Sequence, residues 1–521
     1  MNNKKIKYPI GVQSFEKLRE DGYVYVDKTR QVYEIVANGN CYFLGRPRRF
    51  GKSLLLSTFE AYFLGKKDLF HGLAIENLET EWTEYPVLRL DLNTGKYDSV
   101  QSLRDEFNRH LEKWESRFGD RFKDRNSAER FLQVIELAYK KTGKQAVILV
   151  DEYDKPLLQN FADVKLQDEI RAEMKSFYSV LKTQDRYIRF AFLTGVTKFG
   201  KVSVFSDLNN LNDISTDKRY ADVCGITEEE IGVYFEQSVK DLAQDNGMTF
   251  EEARAELKNR YDGYHFCAGG EGIYNPFSLL NALDKKKIGD YWFETGTPTF
   301  LVKLLKDCDY NLNDLQNGEV EAAELSGVNA FEGNPVPIIY QSGYLTIKDY
   351  DKEFETYILD FPNKEVENGF VRQLLPMYSD SRKSNPAFDV KRFIFDARSG
   401  DAEGFMTRLQ AFFEDADYRV AGKKEIYFQN VMFVVFKIMG FYTEVERVTS
   451  RGRIDVVIKT SDFIYIIECK LDGSAEEALR QINEKGYANP YAADKRELFK
   501  IGVNFSSETR GISEWLIESR I

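Results

Sequence analysis

Residues 145–159, QAVILVDEYDKPLLQ, run through five consecutive apolar side chains and then stop on two acids. A strand with no polar face must be covered on both sides, which happens in parallel sheets sandwiched between helices. Upstream, CYFLGRPRRFGKSLLLSTFEAYF (41–63) runs as a short apolar strand to Gly45, a compact basic loop, and a helical pattern after Lys52 and Ser53. Downstream, YIRFAFLTGVTKFG (187–200) supplies a third apolar strand that carries Thr194 and Thr197 near its end. Strands alternating with helical segments through about residue 205 predict a doubly wound α/β domain.

The letters Gly51-Lys52-Ser53 match the end of a Walker A phosphate loop. There, backbone N–H groups at a helix N-terminus hold anionic oxygens, Lys52 reaches the outer phosphates and Ser53 ligates Mg2+. The usual spacing asks for glycine at 46; this chain has Arg46 there, with Gly45 one step earlier and Arg49 further into the loop. The same letters also suit a glycine turn before an ordinary helix. The acidic strand end supplies the complement: Asp151 is expected to hold Mg2+ through water, and Glu152 to polarise an attacking water. Thr194 or Thr197 stands where a γ-phosphate could be sensed, or satisfies turn backbone. The expected ATP-binding set is Gly45, Arg46, Arg49, Gly51, Lys52, Ser53, Asp151 and Thr194, with Ser53 and Asp151 on the cation and Glu152 catalytic.

A chain of 521 residues exceeds one core, and its 43% hydrophobic and 14% aromatic content is that of globular material. The start, MNNKKIKYPIGVQSF, has no apolar stretch behind its lysines, and VMFVVFKIMGF is broken by Lys437 and is shorter than the ~20 residues of a membrane span. No membrane association and a cytoplasmic location are expected. Five scattered cysteines without a CxxC pair suit a reducing compartment. Only three histidines, His71, His110 and His265, are available, so metal and acid–base chemistry falls to carboxylates and lysines. A net charge of -12 argues against broad coating of nucleic acid, though not against a local basic groove.

Near the C-terminus, GRIDVVIKTSDFIYIIECK (452–470) reads as two β-branched strands joined by a four-residue loop at Lys459–Asp462. Side chains alternate along a strand, so Glu468 and Lys470 share a face and Cys469 points to the other, as a core thiol. An even loop brings Asp455 onto the face of Glu468 and Lys470. Cross-strand ion pairs would use the same residues, but their setting is an order of helix, three strands, helix, strand over about the last 100 residues.

Between the two sites, ITEEEIGVYFEQSVKDLAQD and TFEEARAELKNRYDGY read as acidic helices of a lid or adaptor. YWFETGTPTFLVKLL reads as a helix start, IIYQSGYLTIKDY as a strand, LDFPNKEVENGF as a connector, and about 365–420 as helical. The expected divisions are 1–215 for the phosphate-loop domain, 216–350 for the helical lid or adaptor, 351–420 for a helical connector and 421–521 for the last domain.

Several stretches together resemble one bacterial family: YVDKT (25–29), RPRRFGKS (46–53), VDEYDKPL (150–157), YDGYHF (261–266), YNPFSLLNAL, YWFETGTPTFL, and GRIDVVI with IIECK. That family joins an AAA-ATPase-like N-terminal region to a C-terminal αβββαβ domain of the PD-(D/E)XK nuclease type, and the resemblance runs nearly end to end. It implies a P-loop ATPase coupled to a phosphodiesterase that is Mg2+-dependent and gated by ATP, with nucleic acid, DNA first, as partner and room for a homo-oligomer. Asp455, Glu468 and Lys470 would be nuclease residues, with Asp455 and Glu468 on Mg2+. Gln481 matches a glutamine often found on the following helix. Glu425 and Glu446 are weaker candidates for a further ligand, and Tyr487 is given no role. The rival reading is a nucleotide-dependent switch or scaffold whose nuclease-like domain only binds nucleic acid or a protein.

Overall fold

The run at 146–151 becomes one strand of a five-stranded parallel sheet. β1 (Cys41–Gly45), β2 (Val87–Asp91), β3 (Ala146–Asp151), β4 (Ile188–Gly195) and the short β5 (Asn212–Asp213) lie in the order β2-β3-β4-β1-β5. All six residues of β3 are buried, as an apolar run covered on both faces requires. On one face Phe43, Ile148, Val150 and Leu193 pack with Phe107, Phe131 and Phe177 from helices. On the other, Phe190 and Phe192 meet Phe59 of the helix Lys52–Phe63, with ring centroids 5.3 and 4.8 Å apart.

This computed structural model describes residues 6–120, 124–160, 163–198, 204–205, 208, 210–293, 301, 304–305, 308, 310–316, 318–326, 334–378, 386–414, 424–440, 444–450, 453–509 and 511–520. At 375–378, 386–390, 414, 424–429, 444–450, 453–455 and 520 only the backbone is described. The chain divides into two units, residues 1–296 with 317–366, and 297–316 with 367–521.

Beyond its parallel sheet, the first unit holds a helical cluster with its own core, including Ile231, Val239, Leu257, Tyr261 and Leu279. The acidic pattern beginning at Thr227 forms two helices, Glu228–Tyr234 and Glu236–Asp245, opened by a capping box between Thr227 and Glu230. A small sheet, β6 (Gly318–Glu321), β7 (Thr346–Asp351) and β8 (Thr356–Asp360), is ordered β6-β8-β7. The strand expected across IIYQSGYLTIKDY is half helix, Val336–Gln341, because Gly343 turns the chain left-handed (φ 88°) before β7 begins. The connector expected at LDFPNKEVENGF ends one strand and starts a helix, Lys364–Tyr378, whose first turn is capped by Asn363 Oδ1 accepting from Val366 N. Most of YWFETGTPTFLVKLL lies outside the described residues.

In the second unit the helix Lys424–Gly440 precedes β9 (Glu444–Ser450), β10 (Arg453–Lys459), β11 (Phe463–Leu471), the helix Ala475–Glu484, β12 (Glu497–Ser506) and β13 (Gly511–Arg520). The sheet order is β13-β12-β11-β10-β9, antiparallel except for the parallel β11–β12 pair. The αβββαβ order is therefore present, extended by β13, a strand the sequence reading did not reach. Among the described residues, no helix is long and apolar enough to cross a membrane.

Candidate active sites

In the first unit, parallel pairing brings the C-terminal ends of four strands to one sheet edge. Gly45 pairs with Gly195, Leu44 with Thr194, and Asp91 with Asp151. The chain leaves β1 through a loop with left-handed backbone at Arg49 (φ 69°) and Gly51 (φ 92°), then enters the helix at Lys52. Successive left- and right-handed residues turn backbone N–H groups inward, the geometry that binds anions.

Lys52 is buried, its Nζ donating to the carbonyls of Arg46 and Pro47 at 3.0 and 3.1 Å. Ser53 follows, half-buried, in the first turn. Asp151 is buried, with Oδ1 accepting from the Thr194 hydroxyl at 2.8 Å and Oδ2 4.0 Å from Arg89 Nη2. Glu152 adopts φ 50°, rare for a side chain with a Cβ and characteristic of residues held by their surroundings. What holds it is the next two residues. Tyr153 N donates to the Thr194 carbonyl, and the Asp154 carboxylate accepts from Val196 N, Thr197 N and the Thr197 hydroxyl. Burial pushes both the Glu152 and Asp154 carboxyls above their usual range; Lys52 opposes this at both, and the Thr197 hydrogen bonds oppose it at Asp154.

Arg46 departs from the expectation that put it on the nucleotide. Its side chain is 1% exposed, and the guanidinium donates to the carbonyls of Gly45, Ser215, Tyr220 and Ala221 while stacking 4.0 Å from the Phe266 ring. It braces the loop from behind. Arg49 stays exposed over Phe277 at 4.5 Å, and Gly45 N donates to Ser215 Oγ. Both threonine hydroxyls hydrogen-bond carboxylates, Thr194 to Asp151 and Thr197 to Asp154.

The sequence reading missed Asp154. Its signal was the spacing DEYD, which puts a second acid one turn beyond the strand end. Gly195 explains how that acid fits: a Cβ there would lie 2.6 Å from the Tyr153 ring and 2.8 Å from Asp154 Oδ1.

In the second unit, the antiparallel register sets Asp455 directly opposite Glu468. The hairpin turn is tied by Thr460, whose N–H donates to the Phe463 carbonyl and whose hydroxyl accepts from Phe463 N. Two residues along, Val457 and Ile466 pack with Ile482 and Leu498, so the Glu468 face looks onto the helix Ala475–Glu484. Glu468 is 1% exposed. Its Oε1 accepts from Lys470 Nζ at 3.2 Å, and its Oε2 has no hydrogen-bond partner among the described residues. Lys470 Nζ also donates to Gln481 Oε1, and Gln481 Nε2 donates to the Tyr487 hydroxyl at 3.4 Å. Tyr487 thus joins the cluster through the helix end, although its spacing in sequence gave it no role. Cys469, between Glu468 and Lys470 in sequence and expected as a core thiol, is half-buried. The side chains of Asp455, Glu425 and Glu446 lie outside the described residues; Glu446 on β9 pairs with Val457 on β10, and Glu425 stands in the first turn of its helix.

Gly502, also missed, sits beside Glu468 on β12. A Cβ there would lie 2.3 Å from the Ala475 carbonyl and 2.6 Å from Leu479 N, so helix backbone rests directly on the strand. A glycine inside an apolar strand was the available signal.

Among the described side chains no group of three or more His, Cys, Asp or Glu is arranged for a metal ion. The donors present still fit hard cations. In the second unit, a buried carboxylate oxygen without a partner is the kind of group a cation satisfies. In the first, one hydroxyl and one carboxylate leave most positions to phosphate and water, as Mg2+ prefers.

Residues 9–205 match the family described as Predicted AAA-ATPase, and residues 423–515 match the PD-(D/E)XK nuclease superfamily. A protein of Azotobacter chroococcum mcd 1, described as the uncharacterized protein in vnfD 5'region, is 36% identical over 535 residues that span the whole of both chains. The chain belongs to this AAA-ATPase-like family with a C-terminal PD-(D/E)XK domain. Within that family frame, the five-stranded parallel sheet is the P-loop fold and the mixed sheet is the nuclease domain. The first cluster lies at the sheet edge of the AAA-ATPase-like domain, and the second on a strand face of the PD-(D/E)XK domain.

Proposed function

We propose that the protein is an ATP-gated, Mg2+-dependent nuclease acting on DNA. The observation that carries the nuclease half is Glu468, a buried carboxylate with one oxygen unpartnered, set opposite Asp455 and beside Lys470. Facing acids repel, and Lys470 meets only one oxygen of the buried Glu468, so a cation would be favoured there. Asp455 and Glu468 would hold the divalent ion, which when bound supplies charge for a phosphate oxygen and lowers the pKa of water. Lys470, steadied by Gln481 and through it by Tyr487, orients that water or offsets negative charge at the phosphate. In the first unit Lys52 and the loop amides would bind ATP phosphates, Ser53 and Asp151 would hold Mg2+, and Glu152 would orient water for hydrolysis. Asp154 holds the backbone that aims Glu152.

Calorimetric titration with Mn2+ separates this reading from a scaffold that has lost its metal. Binding that disappears in Asp455→Ala supports the nuclease, and no binding in the wild type overturns it.

A further inference from the structure

Neither YWF at 291–293 nor the end of FPNKE at 361–365 takes part in the chemistry above, yet the two form one path to the phosphate loop. The Trp292 indole N–H donates to the Arg48 carbonyl at 3.3 Å. Behind it, the Trp292 backbone N–H donates to Glu365 Oε1 at 2.8 Å. Trp292 is 6% exposed and Glu365 1%, and Tyr344 packs edge-on against the indole with centroids 5.0 Å apart. Burying a carboxylate this deeply is costly unless hydrogen bonds offset the lost water, and the Trp292 amide supplies one. The held carbonyl belongs to the Arg48–Arg49 peptide, where the loop turns left-handed. In a trans peptide the carbonyl and the following N–H point in opposite directions, so fixing the Arg48 oxygen fixes the Arg49 amide.

We propose that Trp292, backed by Glu365, is a positioning residue for the phosphate loop, holding the Arg48–Arg49 peptide so that the Arg49 amide is offered to a nucleotide phosphate. The proposal rests on the nucleotide-binding reading above and adds what sets that site's affinity.

The test is titration of the full chain with Mg-ATP. Trp292→Phe keeps the packing against Tyr344 and removes the N–H; it should weaken ATP binding about tenfold, the equivalent of one hydrogen bond. Its melting temperature should stay within about 2 °C of wild type. Glu365→Ala should weaken binding similarly, and Glu365→Gln, which keeps an acceptor for the Trp292 amide, should restore most of it. At saturating Mg-ATP the wild-type tryptophan emission should shift, and that shift should be absent from Trp292→Phe; a purely structural tryptophan would not respond. Wild-type affinity in Trp292→Phe, with binding lost in Lys52→Ala, overturns the positioning role and leaves the nucleotide site standing. Should Trp292→Phe fail to fold, equal affinity in Glu365→Ala and Glu365→Gln overturns it instead. If the wild type binds no ATP, the nucleotide reading fails and this proposal with it.

Discussion

Lys52 shows how one residue can be structural and functional at once. Its ammonium is buried on two loop carbonyls, among Glu152 and Asp154, whose raised pKa values it opposes. Lys52→Ala should therefore abolish ATP binding, whereas Glu152→Gln should bind ATP and lose turnover, because only the first removes a phosphate contact. Calorimetry and phosphate release read the two outcomes separately; equal nucleotide affinity in wild type and Lys52→Ala would remove the Walker A assignment. Glu365 gives a pH test. Burial raises its carboxyl from 4.5 to about 7, with the Trp292 amide opposing and Asp290 adding to the rise, and with Tyr261 and Tyr264 among the groups facing it. A carboxyl raised on folding stabilises the protein below its unfolded pKa, and that contribution is lost as pH climbs through about 7. The rise corresponds to about 3 kcal/mol. Glu365→Gln should thus gain stability relative to wild type between pH 5 and pH 8, measured by denaturant unfolding. A stability difference that does not change with pH would contradict it.

Elements carry these residues, and the clearest element-scale test is Gly502. Its missing side chain lets the helix Ala475–Glu484 lie on β12 next to Glu468, bringing Gln481 to Lys470. Gly502→Ala should cost about 1–3 kcal/mol by overpacking and reduce cleavage more than the melting temperature alone explains, since the helix must move. Unchanged stability would mean the helix is not seated as described. Much at this scale was legible in sequence. The β3 run and the hairpin register followed from apolar continuity and an even loop, because burial on both faces and side-chain alternation leave few alternatives. Arg46 was not legible: a basic residue in a phosphate loop suggests an anion, and only folding reveals that four carbonyls surround it. Helix and strand were confused at 338–341 because a short apolar run suits both. Asp154, Gly502 and Trp292 act through partners distant in sequence, which no local pattern encodes.

At the scale of the whole molecule, the proposed function pairs a nucleotide site in one unit with a metal-dependent phosphodiesterase site in the other. The acids of the second site should be a burden without metal. Glu468→Gln should leave the fold intact and raise metal-free stability by about 1–2 kcal/mol, since it removes a buried charge that faces a second acid and meets Lys470 through only one oxygen. The central claim is tested most directly by one measurement: cleavage of duplex and single-stranded DNA by the full chain with Mg2+ and ATP, beside Asp455→Asn and Lys52→Ala. Wild type should cleave only when both Mg2+ and ATP are present, and each variant should lose cleavage. Cleavage that persists in Asp455→Asn, or that proceeds equally without ATP and in Lys52→Ala, would contradict it.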